Sequence, residues 1–575
     1  MKFKKMTWGI AALLLLTCLP AAARAQKVVD VRHTRIVIPG FVEPNTPGAP
    51  GVAVDPRLAA VVTDPAAFNP NGSLNLNKAI YVRFFDNNRK SPAQTILILI
   101  PELESGAGSL GIPATEIVKQ TGGKTEVWII DRRSNLLEDL KPIVDAWNQR
   151  SVEASLTALR GYMDHSAGRG GFLANNPYVL SSFMTEWGLD VHLRDIKAVV
   201  EKARKTTPNV FLGGHSLGAT MTQMFAAYDF GDTAGFKLLK GMVLIEPTLD
   251  PLAATPISDQ VYFEGTPRLP GLNSIRNQAD KFPPFFADGY GFGIVTAVLF
   301  QIYDLGVQVS TLDPQGTQLY DSGYMNSVLK YPSTNQVCMA INMDDEFQFQ
   351  PIARVSVGFL KIPPGKTLAD VATRVRDDPT GVNPNGIWVP KDPGPGQVLQ
   401  WGEVTDLSTL GPELTGKEVN RIENILQQKL PLTDTAGSNI GGGAVDTLEW
   451  YLPIRLRLDV KKIQDLGRAP LSDEVIAAQK ARGGNALTMT KNDRVNRPTL
   501  FVRAAAGGFI RNDSGYLRYA LSTSIPKNKV SITTLDDYCH TDVLSSLEKT
   551  ATSRDGKKMD KNLPSLIVDF MREQR

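Results

Sequence analysis

Uninterrupted apolar runs punctuate the first half of the chain at Thr95 to Ile100, Glu126 to Ile130, Asn209 to Leu212 and Gly241 to Ile245. None alternates with polar residues, so each predicts a strand covered on both faces, as in a parallel sheet. Between the second and third runs, Trp187 to Arg204 carries Leu189, Val191, Leu193, Ile196, Val199 and Val200, a helical spacing. Ala219 to Tyr228 predicts another helix ahead of the fourth run. Upstream, from Gln26 to about Lys90, short apolar runs (Val28 to Val31, Ile36 to Ile38, Ala79 to Phe85) alternate with Pro/Gly/Asn-rich turns and read as leading strands.

After Asp250 this rhythm stops. Aromatic-rich text (Phe282 to Tyr303, Tyr320 to Tyr331), a loop-like Pro/Gly stretch (Pro363 to Gly396) and the run Gly441-Gly442-Gly443 fill the chain to about Asn496. Strand text returns at Pro498 to Ala506 and Lys529 to Leu535, followed by a final helix, Leu563 to Met571. The pattern predicts an α/β fold: a mostly parallel central sheet with helices on both faces, built from residues 26–250 and 496–575 and interrupted by an insertion at 251–495. The apolar run Phe292 to Ile302 is too short for a membrane span, which needs about 20 residues.

Composition changes the picture mainly at the N-terminus. Of 575 residues, 42% are hydrophobic and 21% charged, which excludes a disordered or collagen-like chain. Lys2, Lys4 and Lys5, the apolar stretch Gly9 to Leu19 and the site Ala23-Arg24-Ala25 have the three-part layout of a secretory signal peptide, residues 1–25, with cleavage expected after Ala25. Its loss removes four positive charges and no negative ones, so the formal +3 becomes −1, and no basic nucleic-acid footprint is left. A secreted or periplasmic protein with no transmembrane span is expected. Cys18 leaves with the signal; Leu16 and Thr17 before it are not a lipoprotein context. Cys338 and Cys539 remain, available for one disulfide or as two buried thiols.

The sharpest chemical signal is Gly214-His215-Ser216-Leu217-Gly218, between a predicted strand and a predicted helix. Such a turn lifts the serine Oγ above a sheet, and the helix N-terminus behind it offers oriented N–H groups to a developing oxyanion. Gly106-Ala107-Gly108-Ser109-Leu110-Gly111 competes as a dinucleotide fingerprint, with Asp131 downstream and Arg132 and Arg133 as phosphate partners. Pro101 to Ser105 separate it from its strand, however, where the fingerprint requires an immediate turn.

A serine nucleophile needs a base. Of His33, His165, His192, His215 and His540, only His540 follows the last strand, in Asp536-Asp537-Tyr538-Cys539-His540-Thr541-Asp542, where the order Ser…Asp/Glu…His puts it. For the acid, Asp513 fits that order and is preferred. Glu246, at the end of the run Gly241 to Ile245, is the rival, with Asp250 behind it.

These segments resemble the α/β-hydrolase superfamily, specifically its lipase and esterase-like members. The resemblance rests on the Ser216 elbow, Ile96 to Gly111, Trp128 to Arg133 and Tyr538 to Asp542, and covers about residues 75–250 and 495–575. It implies an α/β-hydrolase fold whose insertion is a cap or lid, and a serine hydrolase acting on carboxylic esters through an acyl-enzyme. Amide or peptide hydrolysis by the same triad, or a catalytically silent binding protein, are the alternatives. Oxyanion donors would be the N–H of Leu217 and that of Glu102 or Leu103; Pro101-Glu102-Leu103 replaces the family's usual His-Gly pair, and the Glu102 side chain is expected to turn away. No cofactor or metal is implied. The partner expected is a small ester with an apolar acyl or aryl group.

Overall fold

The computed structural model describes residues 28–163, 178–247, 257–266, 269–277, 284–285, 296–323, 329–348, 353–375, 386–414, 416–432, 447–463, 476–477, 480–481, 487–507 and 513–575. Residues 1–25, expected to be an export signal, and His165, Asp250 and the glycine run 441–443 lie outside them.

Nine strands form one sheet: β1 (Val31–Pro39), β2 (Lys78–Asp86), β3 (Thr95–Ile100), β4 (Thr125–Asp131), β5 (Val210–His215), β6 (Gly241–Ile245), β7 (Thr499–Ala504), β8 (Val530–Leu535) and β9 (Ala551–Ser553). Their order is β1-β2-β4-β3-β5-β6-β7-β8-β9. From β4 to β8 every pairing is parallel. β2 joins β4, β1 joins β2 and β9 joins β8 antiparallel.

The helices that position the site are α1 (Gly111–Gln120), α2 (Leu189–Arg204), α3 (Leu217–Ala227), α4 (Thr296–Leu312), α5 (Ser514–Leu521) and α6 (Leu563–Glu573). Side chains alternate across a strand. Ile96, Ile98, Leu212 and Met242 therefore pack with α2, α3 and α5 on one face. Leu97, Leu99, Phe211 and Val243 pack with α1 and α6 on the other. Both faces are covered, which is why the strand text carries no polar alternation.

Of the leading runs, Ala79 to Phe85 lies within β2, whereas Val28 to Val31 and Ile36 to Ile38 lead into and fall on one nine-residue strand, β1. Its register with β2 is continuous from Val31 opposite Asp86 to Pro39 opposite Lys78, and its buried Arg35 is neutralised by Asp64 at 2.7 Å. Backbone pairing and this ion pair carry the strand through His33, Thr34 and Arg35, where the apolar pattern lapses. α1 and the short β9 have weak sequence signals, the first opening on glycine and proline and the second made of Ala, Thr and Ser.

Residues 251–495 contribute no strand to the sheet among the described residues. They form helices and three two-stranded ribbons, one of which, Ala372–Val375 with Ile387–Pro390, lies within the stretch expected to be loop. α4 packs beside the helix Val152–Met163, and buried Gln308 joins them by accepting from Ser155 Oγ (3.1 Å) and donating to the Ile143 carbonyl (2.9 Å). Phe300, Leu305, Phe347 and Trp450 share a hydrophobic cluster with Leu137, Leu159 and Trp187 from the first part of the chain.

Candidate active site

β5 ends on His215, and Ser216 turns the chain into α3 with φ 55° and ψ −120°. A non-glycine residue rarely holds a positive φ, and the surroundings must compensate. Here the Ser216 N–H donates to the Ile245 carbonyl at 2.9 Å, strapping the turn to β6. Two glycines make the turn possible. A Cβ on Gly214 would stand 2.4 Å from the Gly218 carbonyl carbon, and one on Gly218 only 2.0 Å from the Ile100 carbonyl oxygen. Ser216 is buried.

His540, also buried, follows β8 and meets this turn. Its ring centroid lies 4.6 Å from that of His215, and its carbonyl accepts a hydrogen bond from His215 Nε2 at 2.9 Å. The other side of the His540 ring faces Glu246, with Nδ1 3.3 Å from Oε2. Glu246 comes directly after β6 with φ 43°, its N–H donating to the Val502 carbonyl. Its Oε1 accepts the Ala504 N–H at 2.6 Å. A sharp serine turn after β5, an acid after β6 and a histidine after β8 converge at one end of a sheet of this order. The chain has the α/β-hydrolase fold.

No family model matches the chain, and neither does any curated protein. Among solved structures, it is similar to a proposed lipase from Sulfolobus solfataricus at 12% identity and a TM-score of 0.42, over 96% of this chain and 98% of that one. A peroxisomal α/β-hydrolase from Saccharomyces cerevisiae comes next at 10% and 0.33, over 95% and 89%. A soluble variant of monoglyceride lipase from the same yeast, bound to a substrate analogue, gives 10% and 0.28 over 86% and 91%. The assignment of the α/β-hydrolase fold here rests on the sheet order and the elbow.

The preferred acid, Asp513, is not at this site. It occupies the N-cap position of α5, nine residues past the end of β7, and its carboxylate faces Arg554 at 3.9 Å. Directly after β7 the chain runs Ala505-Ala506-Gly507, and the space an acid would fill there is taken by Glu246. A Cβ on Gly507 would lie 2.2 Å from Glu246 Oε2. The signal was in the sequence: no acid stands directly after β7, and one stands directly after β6.

Of the two readings of the cysteines, the structure has the thiols and not the disulfide. Cys338 and Cys539 are both free and buried. Cys338 sits inside the helix Asn335–Ala340, while the Cys539 thiol donates to Asp345 Oδ2 at 3.3 Å.

The Pro101 to Ser105 loop of the α/β-hydrolase fold lies across from the elbow, braced by buried Arg132. Its guanidinium donates to the carbonyls of Glu102 (2.6 Å), Ser105 (3.0 Å) and Pro101 (3.3 Å) and pairs with Glu449 at 3.2 Å. Arg133 is bound to Asp195 at 2.7 Å, and Asp131 accepts the Ala107 N–H at 3.2 Å. All three groups of the dinucleotide alternative are therefore spent inside the fold. Among the described residues no hydrogen bond takes the backbone N–H of Leu217, Glu102 or Leu103.

The Glu102 side chain does not turn away. Its Oε2 lies 3.4 Å from His215 Nδ1 and 3.7 Å from His540 Nε2, while Oε1 accepts from Ser105 Oγ at 2.8 Å. Burial raises its pKa to about 7, against the pull of the Ser105 hydroxyl, Lys429 and Arg132. The carboxyl thus sits beside two imidazoles without a full negative charge at neutral pH. Burial lowers His540 to about 3 and holds His215 well below its usual value, so both rings are neutral. Burial also raises Glu246 to about 8, opposed by the Ala504 N–H and Arg503.

Sequence reasoning missed Asp542. Buried beside His540, it accepts from the Cys539 N–H (2.6 Å), the Ser356 N–H (3.0 Å) and hydroxyl (2.8 Å) and Asn420 Nδ2 (2.6 Å). It ties the histidine loop to residues between 251 and 495.

Proposed function

We propose that the protein is a serine hydrolase of carboxylic esters, exported to the periplasm or the exterior, with Ser216, His540 and Glu246 as its triad. The observation that carries this reading is His540, packed against the ring of His215 beside the strained Ser216 turn and facing Glu246 with Nδ1 3.3 Å from Oε2. With Nδ1–H donating to Glu246, the Nε2 lone pair is the one that can accept a proton. His540 takes the Ser216 Oγ proton as Oγ attacks the acyl carbon. Glu246 orients the ring and stabilises the imidazolium, and the N–H groups of Leu217 and of Glu102 or Leu103 receive the tetrahedral oxyanion. Proton return to the leaving alkoxide leaves the acyl-enzyme, and water, deprotonated by His540, releases the acid.

Residues 251–495 act in this reading as the cap over the site. Their aromatic residues Phe347, Phe359, Trp388 and Trp401 are buried against one another, so packing accounts for them, and acyl preference rests on other groups. Export rests on the N-terminal layout alone. No helix among the described residues is long and apolar enough to cross a membrane.

One observation favours a catalytically silent binding protein: Glu102 Oε2 is only 3.7 Å from the nitrogen that must act as base. A fluorophosphonate probe separates the readings. Labelling of the folded protein that disappears in Ser216→Ala supports the hydrolase. A folded protein that takes no label sinks it.

A further inference from the structure

The atoms around Glu102 are grouped closely enough to form a metal's ligand shell. A tetrahedral zinc ion with bonds near 2.0–2.1 Å separates its ligand atoms by about 3.3–3.5 Å. Glu102 Oε2 stands 3.4 Å from His215 Nδ1 and 3.7 Å from His540 Nε2, and all three atoms lie within 4.8 Å of one another. Glu102 Oε2 and His215 Nδ1 are buried and accept or donate no hydrogen bond.

Each group is also held from behind in the way metal ligands are. Ligating imidazoles donate their other N–H to a carbonyl or carboxylate, which fixes the tautomer and aims the remaining lone pair. His215 Nε2 meets the His540 carbonyl at 2.9 Å, and only an N–H can donate there, so Nδ1 carries the lone pair. His540 Nδ1 meets Glu246, and where Nδ1–H donates there the lone pair is on Nε2. Ser105 Oγ holds the far oxygen of Glu102. The histidines lie 325 positions apart, so no ligand spacing in the sequence could reveal the set.

We infer that Glu102 Oε2, His215 Nδ1 and His540 Nε2 form a binding site for one divalent transition-metal ion of the zinc class, and that its occupancy switches the esterase off. Two imidazoles and one carboxylate select zinc, cobalt or copper over calcium and magnesium, with water free to fill a fourth position. The metal takes the Nε2 lone pair that would otherwise accept the Ser216 proton. In these tautomers both imidazoles lack a proton at the ligating nitrogens, so binding releases at most the Glu102 proton and involves no redox change.

The switch rests on the serine-hydrolase reading, but the site itself does not. The test therefore uses the full mature chain, stripped with a chelator and kept in excess calcium. Calcium occupies any all-oxygen group, such as Asp344, Asp345, Glu346 and Glu418, before zinc is added. Zinc binding is followed by calorimetry, and Co²⁺ substitution by visible absorption. One zinc and a tetrahedral cobalt spectrum are expected in both the wild type and Ser216→Ala. Glu102→Gln, nearly isosteric, should weaken binding by at least about 100-fold, and Ser105→Ala, which only loosens the ligand, by about 10-fold. The zinc concentration for half-inhibition, each variant measured against its own metal-free rate, should rise by the same factors. Zinc binding or inhibition unchanged in Glu102→Gln, absence of binding, or hydrolysis that increases with zinc overturns the proposal. A cobalt spectrum in Ser216→Ala together with no fluorophosphonate labelling of the wild type would instead overturn the hydrolase reading and leave the metal site standing.

Discussion

Two turns at the sheet's working end offered an acid to His540, and only the one after β6 delivers it. Glu246 follows its strand immediately, adopts φ 43° and is fully buried. Asp513 lies nine residues beyond β7, at the start of a helix, a quarter exposed and facing Arg554. Distance along the chain from a strand end is distance from the sheet's directional control. A residue in the first tight turn inherits its aim from the strand, whereas one that has reached the next helix answers to that helix's dipole and neighbours. Of the four described non-glycine residues with positive φ, three are Ser216, Glu246 and Asp537, after β5, β6 and β8. Strain is thus concentrated where the proposed triad leaves the sheet.

The strongest way to break this contrast is to neutralise each acid in turn. Glu246→Gln should lower kcat by about 10³–10⁴-fold, the size expected when a triad histidine loses its orienting carboxylate, while Asp513→Asn should leave it unchanged. Steady-state kinetics on an activated aryl ester decides, and the reverse ranking would return the role to Asp513.

A subtler variant moves the acid without altering it. In Gly507→Ala the new Cβ would fall 2.2 Å from Glu246 Oε2, so the carboxylate must shift. A fall in kcat smaller than that of Glu246→Gln is expected, with KM little changed and a stability loss of about 1–3 kcal/mol from overpacking. Parallel kinetics and thermal melts check both.

The smallest effect is on pH dependence. Burial raises the carboxyls of Glu246 to about 8 and of Glu102 and Asp542 to about 7, so above their unfolded values the folded protein retains protons that the unfolded chain has lost. Stability from these groups is complete below their unfolded pKa and falls as pH rises through about 7 to 8. His540 and His215, depressed by burial, act oppositely, but only below about 6.5, where the unfolded imidazoles are charged. Between about pH 6.5 and 8.5 the carboxyls alone set the slope, and Tm should decline. Glu246→Gln should flatten that decline and Asp513→Asn should not, as calorimetric melts across the range would reveal.

The same contrast explains what the sequence could and could not disclose. The strands Thr95–Ile100 and Val210–His215 and the Gly214 to Gly218 turn are legible because their determinants are local: continuous apolar text, and two glycines where a Cβ has no room. Glu246 was legible as the acid directly after its strand, but the room for it beside Gly507 shows only in the fold. The side chain of Glu102 was expected to avoid the oxyanion region. Instead the Ser105 hydroxyl holds it beside two neutral imidazoles, an arrangement assembled from three separate strand ends. The cysteines, paired only because two remained, are separated by the fold, which gives Cys539 a carboxylate partner instead.

Asp542 bears on how such a protein can be rebuilt. Its carboxylate joins the backbone beside His540 to Ser356 and Asn420, and the Arg354 carbonyl accepts the Thr541 N–H at 3.2 Å. The segment between β6 and β7 is therefore part of the mounting of the His540 loop. Trimming that segment, or exchanging it for another, would cut the anchor of the histidine loop. Grafts that keep Arg354 to Ser356 and Glu418 to Asn420 mark where modular redesign can begin.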